Sequence, residues 1–236
     1  MQVENNADHV SLLSLKPLSP NNIRLYLCRH GETDFNKAGL IQGRGINAKL
    51  NSTGQEQAQC LAKCVLNLSL DLICSSSLNR AIETAQVVCN YFPNVEHKIL
   101  SDFDEMSFGL LEGTRKSSRD EVLNELKKQW RYDDSASFPN GESPYDVYTR
   151  GLKGLHQIIS DNQSCGNNGG KNILIVAHGR FLKILLSYIL YENVDNISEQ
   201  GNCCINVIDY CCQSKKFTPV ALNFTGHIPA ELILRP

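Results

Sequence analysis

The chain has 236 residues, 42% of them hydrophobic and 20% charged, which is enough apolar material for one large core. Its 23 Lys and Arg residues nearly balance its 25 Asp and Glu residues, so it lacks the basic excess typical of general nucleic-acid binders. No apolar run approaches the length of a membrane-spanning helix. These totals argue against nucleic acid and membrane partners and favour a single globular domain.

Residues 1–21 are polar, contain two prolines and lack a basic segment ahead of an apolar one. We therefore predict a flexible leader rather than a signal peptide, and a cytoplasmic location, with the nucleus as a further possibility. The ten cysteines are spread through apolar segments of a chain too long to need disulfides, so we expect reduced thiols. No cysteine or histidine spacing indicates a metal site.

Strand-like and helix-like segments alternate along 22–236, which we predict to be one α/β domain. The predicted strands are 23–28, 70–74, 97–101, 172–177, 203–210 and 216–224, and the predicted helices lie within 51–68, 81–89, 118–132, 144–161 and 181–190. This order favours a doubly wound, mostly parallel central sheet flanked by helices, with a C-terminal β-hairpin.

Two predicted strands end on histidine-glycine pairs, Arg29-His30-Gly31 and His178-Gly179. Ligands of such sheets bind in the crevice at the carboxyl ends of the strands. Arginine offers a planar fork that matches phosphate oxygens, a neutral imidazole is a nucleophile, and glycine allows close backbone approach. A single Arg-His-Gly tripeptide is equally compatible with a solvated loop, so the rest of the chain has to decide.

Six segments in fixed order give that context: RHGETDFN (29–36), IQGRGINAKLNSTGQEQA (41–58), CSSSLNRAIETA (74–85), DFDEMSFGLLEG (102–113), PNGES (139–143) and VAHG (176–179). With them the sequence resembles the histidine phosphatase superfamily, which includes phosphoglycerate mutases, fructose-2,6-bisphosphatases and small phosphatases. The resemblance spans about residues 23–210 and implies a phosphoglycerate mutase-like fold.

The resemblance also implies roles for matched residues. His30 would be the nucleophile that becomes phosphohistidine, and Glu105 would be the general acid and then the base for water. Glu105 needs a protonated carboxyl group, which burial favours and nearby arginines oppose, and the sequence leaves that balance open. Asp104 is the neighbour that could be mistaken for Glu105, but EMSFGLLEG fits the family pattern Glu-x-x-x-Gly-x-x-Glu-Gly with Glu105 first. The residues implied to hold the phosphoryl group are Arg29, Arg80, His178, Asn36, Gln42 and Gly179.

Other polar residues carry weaker signals. His9, His97 and His156 lack motif context and are read as structural or exposed residues. The sequence leaves open whether Arg180 and His227 contribute to the pocket. Residues 106–145 are predicted to form a cap over the site.

Hydrolysis is favoured over mutase chemistry because the chain contains no Arg-Arg dipeptide and only 73 residues separate Glu105 from His178. We expect a phosphatase that acts on phosphomonoesters of small metabolites, without a metal or other cofactor. The alternatives are a 2,3-bisphosphoglycerate-dependent phosphoglycerate mutase and a non-catalytic phosphate-binding or sensor protein. The sequence does not indicate the physiological substrate, the oligomeric state or the pathway.

Overall fold

The computed structural model describes residues 15–115, 120–162, 170–191 and 197–233. Within these ranges the strands are β1 (Asn22–Arg29), β2 (Leu72–Ser75), β3 (His97–Ile99), β4 (Lys171–Ala177), β5 (Ile205–Cys211) and β6 (Lys216–Phe224). The α-helices are α1 (Asp34–Lys37), α2 (Ser52–Val65), α3 (Asn79–Cys89), α4 (Asp120–Gln129), α5 (Pro144–Asn162) and α6 (Gly179–Tyr191).

The strands form one sheet in the order β3-β2-β4-β1-β5-β6. The pairings from β3 to β1 are parallel, and β5 and β6 add to the β1 edge in antiparallel orientation. This arrangement confirms the predicted mostly parallel sheet with a C-terminal hairpin. The third strand is shorter than predicted, and the hairpin strands begin and end close to the predicted residues.

Helices cover both faces of the sheet because its central strands carry apolar side chains on both faces. On β1, Ile23, Leu25 and Leu27 belong to one buried cluster, and Tyr26 and Cys28 belong to the other. Alternate residues of a strand point to opposite faces, so one continuous apolar run serves both layers. The first cluster includes apolar residues of α5 and α6, and the second includes those of α2 and α3.

The helix ends follow local capping rules. The Asn51 side chain accepts a hydrogen bond from Gly54 N at 2.8 Å at the start of α2. The predicted start of α5 is confirmed, since Pro144 is its first residue and Ser143 Oγ accepts from Asp146 N at 3.1 Å. The predicted helix 118–132 is α4, although residues 116–119 lie outside the described residues.

The predicted leader is only partly described. Residues 1–14 of the predicted leader lie outside the described residues. Its described end lies against the body, where Leu15 packs on the second cluster and Lys16 O accepts a hydrogen bond from Arg24 at 2.9 Å. Across the described ranges, no helix is both long and apolar enough to span a lipid bilayer.

Candidate active site

The carboxyl ends of β1 and β4 bring the two motif histidines together. The strands pair in parallel with Arg29 opposite Ala177, so the residues that follow, His30 and His178, lie at the same sheet edge. His30 N donates a hydrogen bond to Ala177 O at 3.0 Å, which extends the pairing beyond β1. The two imidazole ring centroids are 5.1 Å apart. The predicted convergence of these two motifs is therefore present in the fold.

His30 is buried, with 2% of its surface exposed. Its Nδ1 lies 2.6 Å from the carbonyl oxygen of Gly31. A carbonyl oxygen only accepts, so Nδ1 carries the proton and Nε2 carries the lone pair. Burial lowers the pKa of His30 well below 6.5, the charges of Arg80 and Arg29 lower it further, and the Gly31 hydrogen bond opposes them. The ring is therefore neutral at neutral pH, with a nitrogen lone pair that can act as a nucleophile.

Gly31 is required by the close packing of the loop that carries His30. Its amide donates to Thr84 Oγ1 of α3 at 3.1 Å. A Cβ atom at position 31 would lie 2.4 Å from the carbonyl oxygen of Gly54 in α2. The close approach expected of this glycine is thus made against the start of α2, which fixes the position of the His30 backbone.

Arg29 and Arg80 are held by backbone carbonyls rather than by carboxylates. Arg80 is 1% exposed and donates to Ile46 O at 2.8 Å and to Gly43 O at 2.9 Å. Arg29 donates to Gln200 O at 2.7 Å. Burial lowers the pKa of Arg80 to about 10, so it remains a cation at neutral pH. In both side chains Nε is buried without an acceptor, so each guanidinium keeps an N–H group that an anion could satisfy.

His178 is fully buried and reaches β2 through a serine. Ser76 follows β2, and its Oγ lies 2.7 Å from His178 Nε2. The other ring nitrogen, Nδ1, is buried and has no partner. Burial lowers the pKa of His178 well below 6.5, and neighbouring cations, Arg80 first among them, lower it further. His178 is thus a third group beside His30 with an unused polar atom.

The Glu105 carboxylate lies at the N-terminal end of α6, the helix that begins directly after His178. Its Oε1 accepts from Phe181 N at 2.8 Å and from Met106 N at 2.9 Å, and its Oε2 accepts from Arg180 N at 3.2 Å. The amide groups of the first helical turn have no partner within the helix, so a carboxylate is well placed there. Oε2 makes one long hydrogen bond and is the oxygen better able to carry a transferable proton.

Asn36 is oriented by a residue that the sequence did not single out. Its Oδ1 accepts from Thr33 N at 3.2 Å and from Asn202 Nδ2 at 3.4 Å. Asn202 Nδ2 also lies 3.1 Å from His30 O. Because both oxygen lone pairs of Asn36 have donors, its amide N–H groups are the part left for an anion.

Gln42 and Gly179 are the remaining residues predicted to contact the phosphoryl group. Gln42 is 6% exposed, and its Oε1 is buried without a partner. A Cβ atom at position 179 would lie 3.2 Å from Arg29 Nε. Glycine at 179 therefore leaves room for the Arg29 guanidinium, which is a structural reason for a glycine directly after His178.

Sequence reasoning missed several residues that hold the site together. Asp104 is 3% exposed, and its Oδ1 lies 3.0 Å from Ser76 Oγ. Arg150 of α5 donates to the backbone carbonyls of Asp104 and Glu105 at 2.7 and 3.1 Å and so fixes the segment that carries the candidate acid. Ser76 lies in the motif CSSSLNR, but the motif alone does not indicate which of its serines contacts His178. Asn202 lies in no recognised motif.

Arg180 and His227, whose contribution to the pocket the sequence left open, each contact a neighbouring side chain. Arg180 forms an ion pair with Glu199 at 3.5 Å. The His227 ring stacks on Phe224 with centroids 5.6 Å apart, and both of its nitrogens are buried without a partner. His97 Nε2 lies 2.9 Å from Ser75 Oγ, and His156 is exposed on α5. His9 lies outside the described residues.

The cysteines form no disulfide among the nine that the described residues contain, and Cys165 lies outside them. In the described part of the chain, no group of three or more His, Cys, Asp or Glu side chains is arranged to hold a metal ion.

Comparison with known sequences places this geometry in context. A sequence model of the histidine phosphatase superfamily, branch 1, matches residues 25–225. The chain is 33% identical over 205 residues to PhoE, an uncharacterized phosphatase of Bacillus subtilis, with 86% of this chain and 95% of that protein covered. It is 28% identical over 213 residues to a broad-specificity phosphatase of Saccharomyces cerevisiae, with 88% of each chain covered.

A solved structure shows the same similarity in three dimensions. The chain superposes on a mutant of phosphoserine phosphatase from Entamoeba histolytica in complex with phosphoserine, with a TM-score of 0.75 and 25% sequence identity. The match covers 88% of this chain and 100% of that chain. The six-stranded sheet and its flanking helices are thus shared with an enzyme of known structure.

Proposed function

This chain belongs to the histidine phosphatase superfamily, branch 1, and we propose that it is a phosphatase that hydrolyses phosphomonoesters of small metabolites through a phosphohistidine on His30. The proposal accords with its relatives, which are named as phosphatases in a bacterium and in yeast. It makes the protein a phosphoric monoester hydrolase. The residue roles given below are part of the proposal.

One observation carries the proposal. Among the described residues, the Nε atoms of Arg29 and Arg80 and the Nδ1 atom of His178 are buried without hydrogen-bond partners, and His30 is a neutral imidazole with an available lone pair. Buried polar groups normally have hydrogen-bond partners. Cationic donors that lack them are suited to an anion with several oxygens, and a phosphoryl group has that form.

In the first half-reaction His30 Nε2 attacks phosphorus as the bond to the leaving oxygen breaks. Arg29, Arg80 and His178 hold the equatorial oxygens, and Asn36, Gln42 and Gly179 complete the phosphate site. The charge spread over those oxygens is stabilised by hydrogen-bond donors, and the Arg29 and Arg80 guanidinium groups are in place before the substrate binds. Glu105 donates its proton to the leaving oxygen, which departs as an alcohol.

In the second half-reaction water attacks the phosphohistidine. Glu105, now a carboxylate, accepts a proton from the water as the P–N bond breaks and inorganic phosphate forms. His30 recovers its neutral form because its Nδ1 proton, held by Gly31 O at 2.6 Å, never left the ring. The cycle consumes one ester and one water and leaves the enzyme unchanged.

The partner of this site is a small phosphorylated substrate. We also propose that residues 22–236 form one domain in which 106–145 caps the pocket, whose described part includes the buried aromatic residues Phe108, Trp130 and Phe138. Trp130 and Phe138 lie edge to face with ring centroids 5.7 Å apart. An aromatic cluster of this kind holds a cap in place without supplying charges to the substrate.

The test is phosphate release from a panel of phosphorylated sugars, glycerates, nucleotides and phosphopeptides, with wild-type protein and His30→Ala. We expect release from at least one small-metabolite class and no turnover by His30→Ala. His156→Ala is the matched control because it removes an exposed histidine far along α5. Circular dichroism of both variants tests whether the fold is retained.

Acid-labile phosphate on the wild-type chain, absent from His30→Ala, would support the covalent step. Turnover by His30→Ala at the wild-type rate would exclude His30 as the nucleophile. Exchange between phosphoglycerate isomers without phosphate release would favour the mutase alternative. Phosphate binding with no turnover of any substrate would favour a non-catalytic phosphate-binding protein.

A further inference from the structure

Ser76 connects a carboxylate to the second histidine of the site. Its Oγ lies 2.7 Å from His178 Nε2 and 3.0 Å from Asp104 Oδ1, and it accepts a hydrogen bond from Leu78 N at 3.1 Å. Asp104 is 3% exposed, and Ser76 and His178 are fully buried. Little of this line of groups is accessible to solvent, so their protons are assigned among the groups themselves.

The serine hydroxyl has one proton and two neighbours that could take it. If it donated to His178, Ser76 Oγ and Asp104 Oδ1 would face each other at 3.0 Å with lone pairs only. If it donates to Asp104, His178 must donate from Nε2 to Ser76 Oγ. The second arrangement satisfies every contact, so the neutral His178 ring carries its proton on Nε2 and a lone pair on Nδ1.

A lone pair on Nδ1 is the wrong group for an anion. Among the described residues, Nδ1 is buried and has no hydrogen-bond partner. An oxygen of a phosphoryl group placed beside Nδ1 would bring its own lone pair against the lone pair of the nitrogen. The ring can donate from Nδ1 without giving up its bond to Ser76 only when both nitrogens carry protons.

We propose that His178 takes up one proton when the phosphoryl group binds, and that Asp104 and Ser76 are positioning residues that impose this requirement. The inference rests on the proposed function, because it needs an oxyanion in the same pocket. The bound anion and the Asp104 carboxylate then lie on opposite sides of the imidazolium and balance its charge.

The charges around His178 explain why the proton arrives only with the anion. The cations that act on the ring are Arg29, Arg80 and Arg150, and His30 lies beside it. Two carboxylates lie one contact away, Asp104 through Ser76 and Glu105 through the backbone amide of Phe181 at the start of α6. Burial and those cations lower the pKa of His178 in the empty site, and a bound dianion acts in the opposite sense.

Sulfate is the suitable probe because it has the shape of phosphate and keeps both charges throughout the neutral pH range. Calorimetric titration of the wild-type protein with sulfate at pH 7, in two buffers that differ in ionisation enthalpy, gives the number of protons taken up. We expect uptake of about one proton per bound sulfate, and a dissociation constant that weakens about tenfold for each unit of pH above neutrality.

Two serine variants separate the proposed arrangement from a general effect of the loop. In Ser76→Ala the Nε2 contact is gone, so His178 can place its single proton on Nδ1 and bind sulfate with no proton uptake. Ser77→Ala is the matched control. Its hydroxyl donates to the same carboxylate at 2.8 Å, and the hydrogen bond to His178 is made by Ser76 instead. We expect Ser77→Ala to retain the proton uptake.

Nitrogen NMR of histidine-labelled protein gives a second readout, which is the protonation of each His178 ring nitrogen. This readout would not change with sulfate if Asp104 and Ser76 only supported the fold. The His178 ring, assigned with His178→Asn, is expected to have its proton on Nε2 in the empty protein and protons on both nitrogens with sulfate. Sulfate binding without proton uptake, or equal uptake by Ser76→Ala, would overturn the inference and leave the phosphatase proposal standing. No sulfate or phosphate binding at all would overturn both.

Discussion

At the scale of single residues, the charges of Arg29 and Arg80 have two consequences for His30. In the proposed mechanism they attract the anionic substrate, and together with burial they lower the pKa of the imidazole that attacks it. A nucleophilic nitrogen needs its lone pair, so the cations proposed to bind phosphate also keep the His30 imidazole neutral at neutral pH. The Nδ1 hydrogen bond to Gly31 O then directs the lone pair to Nε2.

Glu105→Gln is expected to slow esters of poor leaving groups by about 10²- to 10⁴-fold while p-nitrophenyl phosphate loses much less. Glutamine retains an oxygen for the backbone amide groups of Phe181 in α6 and of Met106, which Glu105 accepts from at 2.8 and 2.9 Å, but it has no proton to give an alkoxide. Steady-state rates on a sugar phosphate and on the nitrophenyl ester measure the difference.

Asp104→Asn is a useful comparison for that experiment because it neutralises the adjacent carboxylate, whose Oδ1 contacts Ser76 instead of the α6 amides. It is expected to affect both esters alike. An equal loss on both esters in Glu105→Gln would show that Glu105 does not act as the general acid.

At the scale of structural elements, Glu112 joins its own loop to the loop that holds Arg80. Its Oε1 accepts from Phe108 N at 3.0 Å and from Arg44 N at 3.2 Å, and its Oε2 accepts from Gly45 N at 2.9 Å. Gly43, in the same loop, supplies one of the carbonyls that bind Arg80. A Cβ atom at Gly43 would lie 2.1 Å from Glu112 Oε1, so this contact needs glycine in the loop.

Glu112→Gln is expected to lower kcat/KM about tenfold or more, chiefly through a higher KM. The amide nitrogen of glutamine would face a backbone N–H group where the carboxylate oxygen accepts from it, and a hydrogen bond to a charged group contributes about 1.5–3 kcal/mol, which corresponds to about a tenfold change for each 1.4 kcal/mol. The loop then no longer holds Arg80 in place. Kinetics and sulfate affinity measure the effect.

The control is Glu125→Gln on α4, where the side chain is 77% exposed and, among the described residues, pairs with Lys128 at 3.3 Å. Its kinetics are expected to match those of the wild-type protein. Unchanged KM and sulfate affinity in Glu112→Gln would show that the position of Arg80 does not depend on this carboxylate.

The elements differed in how well the sequence predicted them, and the reason is the range of the interactions involved. Strand β1 and helix α2 follow from apolar periodicity within the element itself, so the pattern was sufficient. The loop around Gly43 and the bridge between Leu40 and Arg115 depend on contacts with residues about 70 positions away in the chain. No local pattern contains such contacts.

At the scale of the whole molecule, the site depends on strand order. The motifs predicted that His30 and His178 serve one pocket, and the adjacency of β1 and β4 brings them together. The motifs could not show that Asp104 reaches His178 through Ser76, because that contact depends on the register of β2 with β4. Nor could they show that His30 is buried, on which its lowered pKa depends.

The buried histidines make the stability of the fold depend on pH. Burial lowers the pKa of His227 to about 4, against about 6.5 in an unfolded chain. Between these values the unfolded chain binds a proton that the folded chain does not, so this contribution to stability is present above pH 6.5 and is lost as the pH falls toward 4. At pH 5 the loss amounts to about 2 kcal/mol from this residue.

His227→Gln is therefore expected to lose about 2 kcal/mol less stability than the wild-type protein between pH 7 and pH 5. Burial also lowers the pKa values of His30 and His178, and both residues are present in both proteins. Their effect on the pH dependence of stability therefore cancels in the comparison, and the remaining difference comes from His227. Urea unfolding at the two pH values measures it, with the exposed His156→Gln as the matched substitution. Because the variant loses the ring that stacks on Phe224, a change in its stability at pH 7 alone does not test the lowered pKa of His227. If His227→Gln loses as much stability between pH 7 and pH 5 as the wild-type protein does, His227 is protonated as readily in the folded protein as in the unfolded chain.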